Sequence, residues 1–257
     1  MAMTHGSFVW YELMTTDTAA AERFYTSVIG WSAKDAGMPG MNYTLLSAGD
    51  AQIAGLMAQP EEVRASGAPP AWLGYILVDD VDGCASEIAT KGGKVHRQPD
   101  DIPGVGRFAV VADPHGAIFC LFKGRGEPPA DRPAPGTPGT PGWHELMAGD
   151  GEQAFAFYSD IFGWTKADAM DMGPMGIYQI FAIDGVPAGG IMTKPEQVPV
   201  PNWGYYFNVE AIDAAIERVN AGGGQIINGP MEVPGGSWIV QGFDPQGGYF
   251  CLVAPKR

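Results

Sequence analysis

The stretch WYELMTTDTAAAERFYTSVIGW at residues 10–31 returns as WHELMAGDGEQAFAFYSDIFGW at 143–164, an offset of 133 residues without a gap. The match continues outward. AGLM (54–57) corresponds to GGIM (189–192), AWLGYI (71–76) to NWGYYF (202–207), and DPHGAIFCL (113–121) to DPQGGYFCL (244–252), where the offset has become 131. Several blocks recurring in one order mark an internal repeat. The drift in offset falls at Gly/Pro-rich places, as loop-length variation between two copies of one fold requires. Between the copies, RGEPPADRPAPGTPGTPG (125–142) has no apolar periodicity and enough proline to stay extended. The expected organisation is a domain at 5–124, a Pro/Gly-rich linker at 125–141 and a second domain at 142–257.

Each copy divides again. FVWYELM reads as a strand, and DTAAAERFYTSVI as a helix opened by Asp17 and stopped by Gly30. NYTLLSA and QIAGLMA follow as strands. The second half repeats the order, with WLGYILV as strand, VDGCASEIATK as helix ended at Gly92-Gly93, and KVHRQP, GRFAVVA and AIFCLFK as strands. The second copy runs likewise, through WGYYFNV, the helix AIDAAIERVNA ended by Gly222, and QIING, SWIVQGF and GYFCLVA. The chain is therefore expected to hold four β-α-β-β-β units. Strands such as WLGYILV are apolar at both parities, so both faces of the sheet are expected to be covered.

Composition agrees with two folded domains. The chain has 257 residues, 46% of them apolar and 17% charged, and domains cluster near 100 to 150 residues. The net charge of −14 repels phosphate backbones and anionic lipid, so neither nucleic acid nor membrane is an expected partner. No apolar run approaches a membrane span and the start lacks a signal-peptide pattern, which gives a cytoplasmic expectation. Cys84, Cys120 and Cys251 form no C-x-x-C pair or even-numbered framework, and reduced thiols are expected.

Three marks together resemble the glyoxalase/bleomycin-resistance/dioxygenase (vicinal oxygen chelate) superfamily. They are the helix ends Phe24-Tyr25 to Gly30-Trp31 and Phe157-Tyr158 to Gly163-Trp164, the VDDVD turn at 78–82, and DP-x-G before each copy's last strand. The resemblance implies an α+β fold of two tandem domains, each made of paired βαβββ units forming an eight-stranded cup. It also implies a divalent ion held by His and Glu from the first, fifth and last strands, sometimes with a carboxylate from the fourth. Projected onto this chain, those positions fall on Trp10, Leu73 and Cys120, and on Trp143, Gly204 and Cys251. The fourth-strand position falls at Ala54-Gly55 and Gly189-Gly190. None is a His or a carboxylate, and leucine, glycine and tryptophan donate no electron pair to a metal. No cofactor is predicted, with a divalent metal at other positions left open as an alternative.

Strand alternation places Trp10, Glu12 and Met14 on one face, and Trp143, Glu145 and Met147 on the matching one. A carboxylate beside an indole in an apolar cavity is a candidate acid or base, or an anchor for a ligand's N–H or cationic group. The structural alternative is that each Glu caps a loop or pairs with an Arg. Cys120 and Cys251 read as small buried residues unless a base activates the thiol. His144, adjacent to Glu145, must face the other way, as Tyr11 does in the first copy. Met38, Met41, Met172 and Met175 lie in Gly-rich loops and could form an adaptable apolar lip. Tyr75 and Tyr206 complete the expected lining.

Three functions remain open on sequence alone. The first is binding of a small, partly apolar molecule in one or both cups without metal. The second is a lyase, isomerase or oxygenase whose non-standard site uses Glu12 or Glu145. The third is an interaction module without a pocket. The expected partner is a small-molecule ligand, and the tandem domains are expected to pack together within a monomer.

Overall fold

The computed structural model describes residues 3–38, 40–126 and 133–257, so residues 127–132 of the expected linker lie outside the described residues. The first repeat comprises β1 (Phe8–Thr15), α1 (Thr18–Ile29), β2 (Ser32–Asp35), β3 (Tyr43–Ala48) and β4 (Ala51–Ala58). After the short α2 (Glu61–Ala65) come β5 (Ala71–Leu77), α3 (Val81–Thr90), β6 (Lys94–Ile102), β7 (Gly106–Ala112) and β8 (Ile118–Gly124). The second repeat comprises β9 (Pro141–Ala148), α4 (Gly151–Phe162), β10 (Thr165–Asp171), β11 (Ile177–Ile183) and β12 (Val186–Thr193). It continues with β13 (Asn202–Asn208), α5 (Ile212–Ala221), β14 (Gln225–Glu232), β15 (Trp238–Phe243) and β16 (Tyr249–Ala254). The fold is α+β, with two eight-stranded mixed sheets ordered β2-β3-β4-β1-β5-β8-β7-β6 and β10-β11-β12-β9-β13-β16-β15-β14.

Sequence reading located two of the three strands that follow α1. It missed β2, whose SAKD is a mostly exposed edge strand without alternation, and α2, which buries nothing.

Local chemistry sets the helix ends, as expected at Asp17 and Gly30 and likewise at Asp150 and Gly163. Asp17 and Asp150 accept the backbone N–H groups of Ala20 and Gln153 at 2.9 Å, satisfying donors that a helix start leaves open. Gly30 and Gly163 close α1 and α4 at φ 89° and 71°, a left-handed conformation that costs glycine nothing.

The sheets follow the repeats, but the compact units do not. One unit holds the described residues of Met1–Val9, Leu73–Ala130 and His144–Trp203; the other holds those of Trp10–Trp72, Asp131–Trp143 and Gly204–Arg257. Each thus joins half of one repeat to half of the other. In the second unit α1 packs on α5, Trp72 Nε1 donates to the Tyr25 hydroxyl (3.0 Å), and that hydroxyl donates to Asp244 Oδ2 (2.9 Å). Asp244 Oδ1 accepts the N–H groups of Gln246 and Gly248 in the DP-x-G turn. The first unit has the same plan. There α3 packs on α4, Trp203 Nε1 donates to Tyr158 (3.2 Å), and Tyr158 donates to Asp113 Oδ2 (3.3 Å). Burial raises the Asp244 carboxyl above the usual range, against the pull of its hydrogen-bond donors, and raises the Tyr25 phenol as well.

The tryptophans of the two Gly-Trp pairs are seated the same way. Trp31 Nε1 donates to Gly139 O at 2.7 Å in the second unit, and Trp164 Nε1 to Gly6 O at 3.0 Å in the first.

Candidate functional site

On β1, Tyr11, Leu13 and Thr15 point into the core, and Leu13 and Thr15 have no exposure at all. Trp10, Glu12 and Met14 take the other face. β4 runs parallel beside β1 with Glu12 opposite Gly55, and β3 sets Leu45 opposite Gly55 and Tyr43 opposite Met57. Glu12, Gly55, Leu45, Tyr43 and Met57 therefore share one face. The Tyr43 hydroxyl accepts from Trp10 Nε1 at 3.0 Å and donates to Glu12 Oε2 at 2.9 Å. Indole can only donate, so this chain of bonds has a fixed direction and the phenol proton is aimed at the carboxylate. Glu12 is only 6% exposed, and a buried carboxylate requires such a donor.

Gly55 makes the contact possible. A Cβ there would lie 1.8 Å from the Tyr43 hydroxyl oxygen and 2.3 Å from its Cζ, well inside van der Waals contact.

The second repeat builds the same contact. Glu145 lies opposite Gly190 and Gly190 opposite Ile180, and Tyr178 Oη donates to Glu145 Oε1 at 3.1 Å. A Cβ on Gly190 would lie 2.0 Å from Tyr178 Cε1 and Cζ. Trp143 and Met147 share the parity of Glu145 along β9. His144 takes the opposite face and stacks on Phe8 with ring centroids 4.0 Å apart, its Nδ1 2.7 Å from Ala188 O. Burial pushes its pKa down to about 4, against the backbone hydrogen bond, which favours the charged form.

The remaining expected residues fall in the other halves of the sheets. Tyr75 pairs with Cys120, and Cys120 with Val110, while Tyr75 stacks near Phe108. Tyr206 pairs with Cys251 and Cys251 with Gln241, whose Nε2 lies 2.6 Å from the Tyr206 hydroxyl; Asn228 Nδ2 in turn donates to Gln241 Oε1. All three cysteines are buried free thiols, and Cys84 is pushed to about 11 by burial, then by the charges of Glu87, Asp80 and Asp79. Of the loop methionines, Met41, Met172 and Met175 are exposed and Met38 is half-buried.

The structure thus joins Trp10 to Glu12 through a residue that sequence reading did not select. It missed Tyr43 and Tyr178, together with Gly55, Gly190 and Gln241. One signal was present, since in both copies the tyrosine precedes its glycine by 12 residues (43 to 55, 178 to 190). Tyr43 also borders an open groove of about 310 Å³ with Glu22, Ala33, Lys34, Asp35, Asn42 and Thr44.

The positions that the resemblance assigns to metal ligands carry no His or carboxylate. They hold indole, isobutyl, thiol and glycine, and a tyrosine fills the space beside Gly55 and Gly190. Among the described residues, no three or more His, Cys, Asp or Glu come together as a metal would need. No described helix is long and apolar enough to cross a membrane.

A family model described as Glyoxalase/Bleomycin resistance protein/Dioxygenase superfamily matches residues 7–121 and again 140–252. The chain is 33% identical over 253 residues to "Putative glyoxylase CFP32" of Mycobacterium bovis, covering 96% of this chain and 94% of that one. It is 31% identical over 261 residues to "Anthracycline biosynthesis protein DauV" of a Streptomyces species, covering 96% and 93%. Among solved structures, the Mn(II)-bound glyoxalase from Novosphingobium aromaticivorans superposes with a TM-score of 0.63 at 18% identity, over 99% of this chain and 83% of that one; this likeness is one of fold.

Proposed function

The chain belongs to the glyoxalase/bleomycin resistance protein/dioxygenase superfamily, and we propose that within it this protein binds a small, partly aromatic molecule on the glutamate-bearing face of each repeat, without a metal. One observation carries the reading. In both repeats a buried glutamate is held by a tyrosine hydroxyl on a face whose other groups are indole, thioether and aliphatic. Apolar lining with a few convergent polar groups is the usual make-up of a small-molecule site. In this reading Trp10 and Trp143 supply contact area, and Glu12 and Glu145 with their tyrosines set orientation. Met14 and Met147 extend the lining, and the loop methionines Met38, Met41, Met172 and Met175 form the lip. The name of the Streptomyces relative supports a polycyclic aromatic as the ligand class. With a net charge of −14, neither nucleic acid nor anionic membrane is proposed as a partner.

Titration of the full chain with 1,8-dihydroxyanthraquinone, followed by quenching of tryptophan emission, tests this. Saturable binding that weakens in Trp10→Ala and Trp143→Ala is expected; no binding, or binding unchanged in both variants, overturns it. A second reading, proton-transfer catalysis through Glu12 or Glu145, is favoured by the same Tyr–Glu contact, which sets a donor beside an acceptor. Conversion of a bound probe that is lost in Glu12→Gln or Glu145→Gln would put it ahead.

A further inference from the structure

We propose that Gly55 and Gly190 are the positioning residues of the two faces, and that through the tyrosines seated against them they determine what each glutamate presents to a ligand. The inference rests on the binding reading above. Its basis is that a glycine in the middle of a strand is unfavourable unless something must approach the backbone there. Gly55 lies in the interior of β4 and Gly190 in that of β12, each opposite a glutamate on the parallel neighbour. In each, the volume of the absent side chain is taken by a tyrosine from the antiparallel neighbour, Tyr43 from β3 and Tyr178 from β11.

The consequence is chemical. With Gly55 in place, Tyr43 lies flat enough to donate to Glu12, and Trp10 donates to the same hydroxyl. The carboxylate is thereby oriented and partly neutralised by a neutral donor. A carboxylate so oriented suits a ligand carrying a hydroxyl or N–H. Any side chain at the glycine pushes the phenol away, breaks both bonds and turns the same glutamate into a differently oriented charge. Two independent copies, in two different compact units, show this arrangement.

The test uses full-length protein labelled with ¹⁵N at the indole nitrogens. The seven tryptophans give resolvable indole N–H signals, and Trp10→Phe identifies the one from Trp10. Gly55→Ala is expected to move that signal toward its position in Tyr43→Phe, and to weaken 1,8-dihydroxyanthraquinone at the first face by about tenfold, the scale of one lost hydrogen bond to a charged group. In a Tyr43→Ala background the same glycine substitution is expected to change neither readout. Gly190→Ala is expected to reduce affinity at the second face by a similar factor, with the same dependence on Tyr178.

A Trp10 signal unmoved by Gly55→Ala overturns the seating. A moved signal with unchanged affinity overturns the role in recognition, as does a glycine effect that persists without the tyrosine. If Gly55→Ala does not fold, as near-UV circular dichroism would report, Tyr43→Phe decides, and unchanged affinity with an unmoved Trp10 signal in that variant overturns the proposal. Wild-type protein that binds no probe removes the binding reading and the recognition claim together, whereas the indole signal still judges the seating separately.

Discussion

The glutamate-bearing strands of the two repeats share the pattern W-x-E-L-M, yet the residue between Trp and Glu differs, and so does what lies behind each glutamate. In the first repeat it is Tyr11, which meets Tyr205 and Phe207 edge-on at 5.3 and 5.5 Å. In the second it is His144, stacked nearly parallel on Phe8. Edge-to-face and stacked packing both suit ring quadrupoles, but only the imidazole titrates between neutral and mildly acidic pH. The two faces present the same glutamate–tyrosine pair on supports of different sensitivity. A duplicated fold can therefore keep its site and change the conditions under which that site holds together.

The largest expected effect concerns the buried relays that hold the two compact units. Asp244→Ala leaves the Tyr25 hydroxyl and two turn N–H groups without an acceptor, and is expected to cost about 3 kcal/mol in urea unfolding. Asp113→Ala is expected to cost about 1 kcal/mol less, because the Tyr158 contact is the longer one, 3.3 against 2.9 Å. Equal costs would show that this difference in geometry carries no energy.

Next is the contact area of the faces. Trp10→Ala and Trp143→Ala are each expected to weaken 1,8-dihydroxyanthraquinone at their own face by about thirtyfold, from apolar burial of about 2 kcal/mol. Glu12→Gln and Glu145→Gln are expected to cost only about threefold, since an amide keeps the hydrogen-bond acceptor. The reverse order in equilibrium titrations would point to charge recognition or catalysis.

The histidine contrast is read from pH. With His144 near 4 in the folded chain and about 6.5 when unfolded, the unfolded chain binds more protons between those values. Its contribution is complete above about pH 6.5 and is lost as pH falls toward 4, on the order of 3 kcal/mol. Replacing His144 by tyrosine, the residue of the first repeat, is expected to flatten that part of the stability–pH curve. An unchanged slope in His144→Tyr would assign the acid sensitivity to other groups; Asp244, raised by burial, contributes with the opposite sign.

The smallest expected effect on stability lies in the other halves of the sheets, where Gln241 of the second repeat corresponds to Val110 of the first in strand register. Gln241→Val removes a partner of the Tyr206 hydroxyl and is expected to cost about 1 kcal/mol by thermal or urea unfolding. A stabilised variant would mean that the buried amide is present for ligand recognition alone.

The sequence by itself determined the repeat, most of the strands and helices, the caps of α1 at Asp17 and Gly30, and which residues of β1 and β9 share a face with each glutamate. These are short-range properties, set by side-chain periodicity, backbone conformational cost and capping chemistry within a few residues. Tertiary structure alone decided the partners. Nothing in β1 says that Tyr43 will reach across Gly55 to Glu12, because that depends on the register of two neighbouring strands. Nor does either copy say that its Phe-Tyr helix will bond to the DP-x-G turn of the other copy, as Tyr25 does to Asp244 and Tyr158 to Asp113. Periodicity tells a side chain which way to face. What it meets there is settled only when strands and helices from distant parts of the chain pack.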